Sequence, residues 1–272
     1  MKLVDFEYDG IRLSDHNFTL CKFDSTNDNQ DLGNNINMNN VKGQNSDDYF
    51  SANAYYDDTF SPDIQICKTV CGKNDSFIVS DEELRYIMRW LNRKKYLKFK
   101  PIYEDGSFSD VYYMATFNIS IVKMAGDIIG FTLKLITNAP YGFGDTVSTN
   151  GIIGSTNKQL IVNDISDEIG HIYCDVKIKC TSDGDLKITN LADPNNVMIV
   201  KNCKANEIIT LHGKTKMIES SLAGHTKLYN DFNYNFIRII NTFDNNLNTF
   251  TSTIPCEITI SYSPIRKVGL IV

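Results

Sequence analysis

The chain has 272 residues, 42% of them hydrophobic and 22% charged, with a formal net charge of -6 at pH 7. That length and balance suit two globular domains and exclude both a single small core and a disordered chain. The acidic charge excludes a protein built to grip phosphate backbones, which needs a basic footprint, and no stretch approaches the roughly 18 consecutive apolar residues of a membrane span.

The opening MKLVDFEYDG has no apolar signal-peptide core, because Asp5, Glu7 and Asp9 interrupt it, so folding in a cytosol is expected. Residues 24–48, DSTNDNQDLGNNINMNNVKGQNSDD, are dominated by Asn and Asp, and their few apolar side chains predict a mobile surface loop inside the first domain. SDEELRYIMRWLNRKK predicts a helix over 81–94. Ser80 is its N-cap, with Glu83 completing a capping box. Leu84, Ile87, Met88 and Leu91 recur at i, i+3, i+4, i+7, so that stripe faces a sheet, while Arg93, Lys94 and Lys95 complement the C-terminal end. Trp90, the only tryptophan, lies at the margin of the stripe over Tyr86 and reads as a structural anchor.

From Leu97 onward the apolar period changes from 3.6 to 2. Leu97 and Phe99, then Val111, Tyr113, Ala115, Phe117, Ile119 and Ile121, then Phe131, Leu133 and Leu135 hold odd positions, with turn residues between the runs. A three-stranded antiparallel meander covered by the helix is expected. A helix end followed by a strand also explains the basic, aromatic run RWLNRKK and KYLKFK without nucleic acid. NAPYGFGD then breaks the pattern with Pro140 and two glycines, placing the domains at 1–139 and 140–272.

The second half reads as strands throughout. In HIYCDVKIKCTSDGDLKITN, residues 171–190, Ile172, Cys174, Val176, Ile178 and Cys180 share one face, and Leu186 and Ile188 are the apolar positions of a second arm. A β-hairpin is expected. A two-residue Asp183-Gly184 turn would set the two apolar groups on opposite faces, so a three-residue loop over 183–185, or a bulge, is needed to restore one buried face. IPCEITISY alternates in the same way, and NVMIV, EIITL, TKMI and FIRII fit further short strands with the rhythm of a β-sandwich.

Motifs for chemistry are lacking. His16, His171, His212 and His225 are scattered without ligand spacing; His171 reads as a solvated turn residue. The seven cysteines form no CxxC pair, and Cys67 and Cys71, four apart, have no second pair beside them, so reduced and mostly buried thiols are expected. The acids near 183 lack the alternate oxygen ligands of a calcium loop. No G-x-S-x-G, P-loop or G-x-G-x-x-G occurs, so no catalytic residue, cofactor or metal is expected.

Four segments in this order resemble the distal tail protein family of tailed bacteriophages, the hub of the baseplate. They are FEYDGIRLSD, IMRWLNRKKY, FTLKLITNAPYGFGD, and EIITLHGKTKMIESS with DFNYNFIRIIN, with residues 172–190 between the last two. The resemblance implies a mostly β protein: an N-terminal β-barrel-like, tail-tube-type domain with one helix, and a C-terminal galectin-like β-sandwich. It also implies a hexameric ring continuing the tail tube, contacts with tail tube and tail-tip proteins, a docking place for receptor-binding proteins, and DNA as a passenger only. Such a protein resides in the virion after assembly in the host bacterial cytoplasm and is not an enzyme. The galectin-like half leaves a second reading, a carbohydrate or host-receptor module, with Tyr229, Phe232, Tyr234 and Phe236 as its aromatic patch.

Overall fold

A computed structural model describes residues 2–23, 36–39, 50–54, 61–70, 76–154, 158–268 and 270. The chain is mostly β, as its alternation predicts, and forms two compact units: Met1–Phe143 with Lys267–Val272, and Gly144–Arg266.

The first unit contains β1 (Leu3–Tyr8), β2 (Ile11–Arg12), β3 (Phe18–Leu20), β4 (Ile36–Asn39), β5 (Phe50–Ala54), β6 (Asp63–Lys68), α1 (Asp81–Leu91), β7 (Leu97–Tyr103), β8 (Tyr113–Met124), β9 (Asp127–Thr137) and β10 (Gly142–Phe143). Seven of these strands form one sheet in the order β2-β1-β7-β8-β9-β6-β3. Its strands β1 and β3, near opposite ends, touch because the sheet curls. The expected meander is β7-β8-β9. Phe99, Tyr113, Ala115, Phe117, Phe131, Leu133 and Leu135 all point into the core. Ile121 does not: it is exposed, because the β8–β9 hairpin runs on past the edge of the core to a tip at Ala125 and Gly126.

The capping box on α1 forms as expected, with Ser80 Oγ accepting from Glu83 N–H and the Glu83 carboxylate accepting from Ser80 N–H. The helix ends at Leu91, three residues before the expected position. Asn92 leaves helical geometry, and Arg93 folds back so that its Nε donates to the Trp90 carbonyl. Trp90 lies in the core rather than at its margin. It stacks on Phe6 at 6.0 Å and donates its Nε1–H to the Tyr8 carbonyl at 3.0 Å. Of the expected loop over 24–48, only Ile36–Asn39 falls within the described residues, and it is a strand, β4, paired with β5. Backbone pairing needs no apolar side chains, so Asn-rich composition did not signal it. Val268 and Leu270, which the sequence reading assigns to the second domain, pack in the core of the first unit.

The second unit contains β11 (Val147–Ile153), β12 (Leu160–Asn163), β13 (Gly170–Tyr173), β14 (Asp175–Cys180), β15 (Gly184–Asn190), β16 (Met198–Cys203), β17 (Ile208–His212), β18 (Met217–Ser220), α2 (Leu228–Asp231), β19 (Arg238–Asn241), β20 (Leu247–Ser252), β21 (Cys256–Tyr262) and β22 (Ile265–Arg266). One sheet runs β11-β21-β14-β17-β18, a second β12-β20-β15-β16, and β13 pairs with β19 as a separate ribbon. Side chains of both larger sheets share one core, among them Val176, Ile178 and Ile260 from the first and Leu186, Val200 and Phe250 from the second.

Residues 171–190 are therefore not a hairpin. β14 pairs with β17 and β21, whereas β15 pairs with β16 and β20, so the turn at 181–183 carries the chain from one sheet to the other. The register conflict in the sequence has this origin. Two apolar faces that cannot be aligned side by side across a tight turn can face each other across a core.

Candidate functional site

The residues singled out by sequence occupy separate places. Asp183 is a turn fastener: its carboxylate accepts from Ala205 N–H at 2.8 Å and from Lys204 Nζ at 3.2 Å, and these contacts hold its pKa below the usual range. Asp185 accepts from Asn202 N–H in the same way. Among the described residues, no group of three His, Cys, Asp or Glu side chains is arranged to hold a metal ion.

Cys174, Cys180, Cys203 and Cys256 are buried. Cys180 and Cys256 are register partners, Cys203 Sγ donates to the Val200 carbonyl at 3.5 Å, and burial pushes the Cys256 thiol up to about 11. Burial likewise raises Cys174 to about 12. Cys174 and Cys256 are thus unreactive core thiols. Cys67 is half-buried near Cys21; Cys71 lies outside the described residues.

The four histidines do not meet. His16 sits against Tyr86, whose hydroxyl is 2.9 Å from Nε2, and His212 faces Glu219 across β17–β18. His171 is exposed at the start of β13 beside Tyr173. Of the aromatics between 229 and 236, Phe232 and Phe236 are core, while Tyr229 and Tyr234 are 63% and 61% exposed.

His225 is the residue that sequence spacing missed. Its Nδ1 lies 2.6 Å from Glu207 Oε1 and its Nε2 lies 3.2 Å from Asp231 Oδ2, and its side chain is almost wholly buried. Glu207 Oε1 also takes the Ser220 hydroxyl at 2.6 Å, and its Oε2 takes Lys204 N–H at 2.8 Å. Burial pushes the Glu207 carboxyl up, but the bonds from Ser220, His225 and Lys204 N–H outweigh it and hold the group below its usual range. A cavity of about 410 Å³ opens beside the cluster, lined by Asn202, Lys204, Leu222, Gly224, Thr226, Lys227, His225 and Asp231.

The arrangement contains the residue types of a hydrolytic triad but not its wiring. Ser220 is bonded to the carboxylate instead of to the imidazole, and each ring nitrogen is engaged by an acid rather than by a hydroxyl or thiol nucleophile. The cluster is a clamp that fastens the segment carrying α2 to the end of β18 and the β16–β17 turn.

Comparison with known proteins gives the architecture a family. A model described as the phage tail protein N-terminal domain matches residues 1–139, and one described as the phage tail C-terminal domain matches residues 141–262. The SPbeta prophage-derived protein YomH of Bacillus subtilis (strain 168) is 22% identical over 160 residues, which is 58% of this chain and 61% of that protein. The match thus spans less than two thirds of that relative's length. Among solved structures, SPP1 Dit (gp 19.1), described as a paradigm of hub adsorption apparatus in phages infecting Gram-positive hosts, aligns with a TM-score of 0.62 at 14% identity, over 96% of this chain and 99% of that one. A phage p2 baseplate chain in its activated conformation with strontium covers 96% and 98% at a TM-score of 0.45 and 7% identity. With tail-protein models matching both of its halves, the chain belongs to the phage tail protein family.

Proposed function

We propose that this chain is a distal tail, or baseplate hub, protein: a structural component that assembles as a hexameric ring between the tail tube and the tail-tip apparatus. The observation that carries the reading is the likeness to the hub protein SPP1 Dit, which extends over 96% of the chain and so includes both units. In this reading the ring interface is heterologous, one face of each subunit meeting a different face of the next. Its partners are the tail tube protein, a tail-tip protein and a docked receptor-binding protein. The site of action is the virion, after assembly in the host bacterial cytoplasm, and no reaction is catalysed. The net charge of -6 suits a conduit that does not retain the phosphates of passing DNA. Cryo-electron microscopy of purified particles tests the proposal. Density for this chain as a ring at the junction beneath the tail tube is expected, and its absence from that junction refutes the reading.

A second reading, carbohydrate or receptor binding by the second unit, draws on the two exposed tyrosines. Tyr234 donates its hydroxyl to the Tyr229 carbonyl at 3.0 Å, which holds the two exposed residues together. Glycan-array binding that is lost in the Tyr229→Ala, Tyr234→Ala double variant would favour it. No binding by the intact chain would remove it.

A further inference from the structure

Three basic side chains of the second unit come from three elements onto one face of the β13–β19 ribbon. Tyr173 and Arg238 are direct partners in that ribbon. His171, two residues before Tyr173, shares its face, with the two rings 5.2 Å apart. Lys216 arrives from the turn between β17 and β18, where it lays its Nζ over the Tyr173 ring and 5.1 Å from the Phe236 ring.

That turn is tightly constrained. Gly213 N–H donates to Asp175 Oδ1 at 2.8 Å, and a Cβ on Gly213 would lie 2.5 Å from the Tyr173 carbonyl oxygen. Lys216 itself holds φ 56°, a left-handed conformation that Gly or Asn adopts at lower cost. Its N–H closes the turn by donating to the His212 carbonyl at 2.9 Å, which fixes the side chain over Tyr173.

Charge is not balanced in the cluster. Asp193 takes Arg238 Nε at 2.6 Å, and among the described residues it is the one carboxylate paired with any of the three basic groups. Lys216, Arg238 and Asp193 therefore leave one positive charge, and a protonated His171 would add another. Burial, and then the Arg238 charge, lower both Lys216, to about 8, and His171. Cations gathered this way oppose one another until an anion joins them.

We propose that His171, Lys216 and Arg238 form a binding site for a phosphate-type oxyanion. Donors contributed by three separate elements suit an ion with three or more exposed oxygens better than a planar carboxylate, and the excess positive charge matches a phosphate group. The site lies away from the His225 clamp, and the proposal does not depend on the hub reading.

Isothermal titration of the full chain with inorganic phosphate at low ionic strength tests it, with glycerol 3-phosphate and acetate titrated in parallel. Saturable binding of phosphate, stronger than that of acetate, is expected. Tighter binding of glycerol 3-phosphate identifies a phosphate ester as the ligand, whereas equal or weaker binding identifies the free ion. Lys216→Met should weaken phosphate binding about tenfold, as loss of one charge-assisted hydrogen bond does. Asp193→Asn, which removes the competing carboxylate, should tighten it about threefold. If Lys216→Met fails to fold by circular dichroism, His171→Ala at its exposed position removes a second donor and should also weaken binding. Absence of saturable phosphate binding, acetate binding of equal strength, or folded variants with unchanged affinity would each overturn the proposal.

Discussion

Glu207→Ala removes the acceptor at the centre of the His225 clamp. The Glu207 side chain is fully buried, and truncation leaves the Ser220 hydroxyl, the Lys204 N–H and His225 Nδ1 without their acceptor. Removing one member of a buried, hydrogen-bonded network that contains an ionised carboxylate typically costs about 3–5 kcal/mol. Water can enter from the adjacent cavity and rehydrate the imidazole, so the lower end, about 3 kcal/mol, is expected. Urea unfolding followed by far-ultraviolet circular dichroism measures it, since the only tryptophan, Trp90, belongs to the first unit and its fluorescence reports there. His225→Ala should cost a similar amount, and the double variant little more than either, because the two groups act as one unit. A pH series adds a sign. The folded Glu207 pKa is lowered, so its contribution is complete above the unfolded carboxylate value of about 4.3 and is lost as pH falls through the folded value. Glu207→Gln should therefore be less stable than the parent at neutral pH, with the difference shrinking below that value. A Glu207→Ala cost under about 1 kcal/mol, or additive single variants, would refute the clamp.

Three further substitutions probe the scaffold. Trp90→Ala should cost the first unit about 3–5 kcal/mol in urea unfolding, since it empties a buried site and removes the indole bond to the Tyr8 carbonyl; a cost near zero would contradict the placement of Trp90 in the core. Ser80→Ala should cost about 1 kcal/mol through loss of the N-cap, and Ser80→Asp should recover most of it in the same measurement. Gly213→Ala should cost about 3 kcal/mol by forcing the 213–216 turn away from β13, read by thermal unfolding, and a neutral effect would contradict that close packing.

What alternation states plainly is which side chains are buried, and it states this independently of which strands pair. Cys256, Ile258, Ile260 and Tyr262 face the core as their even spacing requires, and so do Cys174, Val176, Ile178 and Cys180. The partner of a strand is a different quantity, fixed by contacts tens of residues away. At 171–190 pairing with the nearest available strand needs a special loop to reconcile the faces. That need was itself the signal: when two short, strongly alternating strands cannot share a face across their turn, the chain changes sheets between them. Trp90 illustrates the converse. Its helical position set it at the edge of the stripe, and the curl of the sheet together with an acceptor on β1 drew it inside.

The clamp was illegible for a related reason. Glu207 and His225 are 18 residues apart and belong to no local spacing that chemistry uses. Yet the segments that carry the family resemblance, EIITLHGKTKMIESS and DFNYNFIRIIN, begin at Glu207 and Asp231, the two acids that His225 joins from the stretch between them. Lys216 and Arg238 lie in the same two segments and converge, with Tyr173, on the β13–β19 ribbon. Two motifs with no internal chemical pattern thus have a common physical content: each supplies one half of two long-range contacts. If that content rather than strand propensity accounts for the motifs, Glu207→Gln and Asp231→Asn should each destabilise the second unit, while changes at exposed Lys214, between the contact residues, should leave it within about 0.5 kcal/mol of the parent.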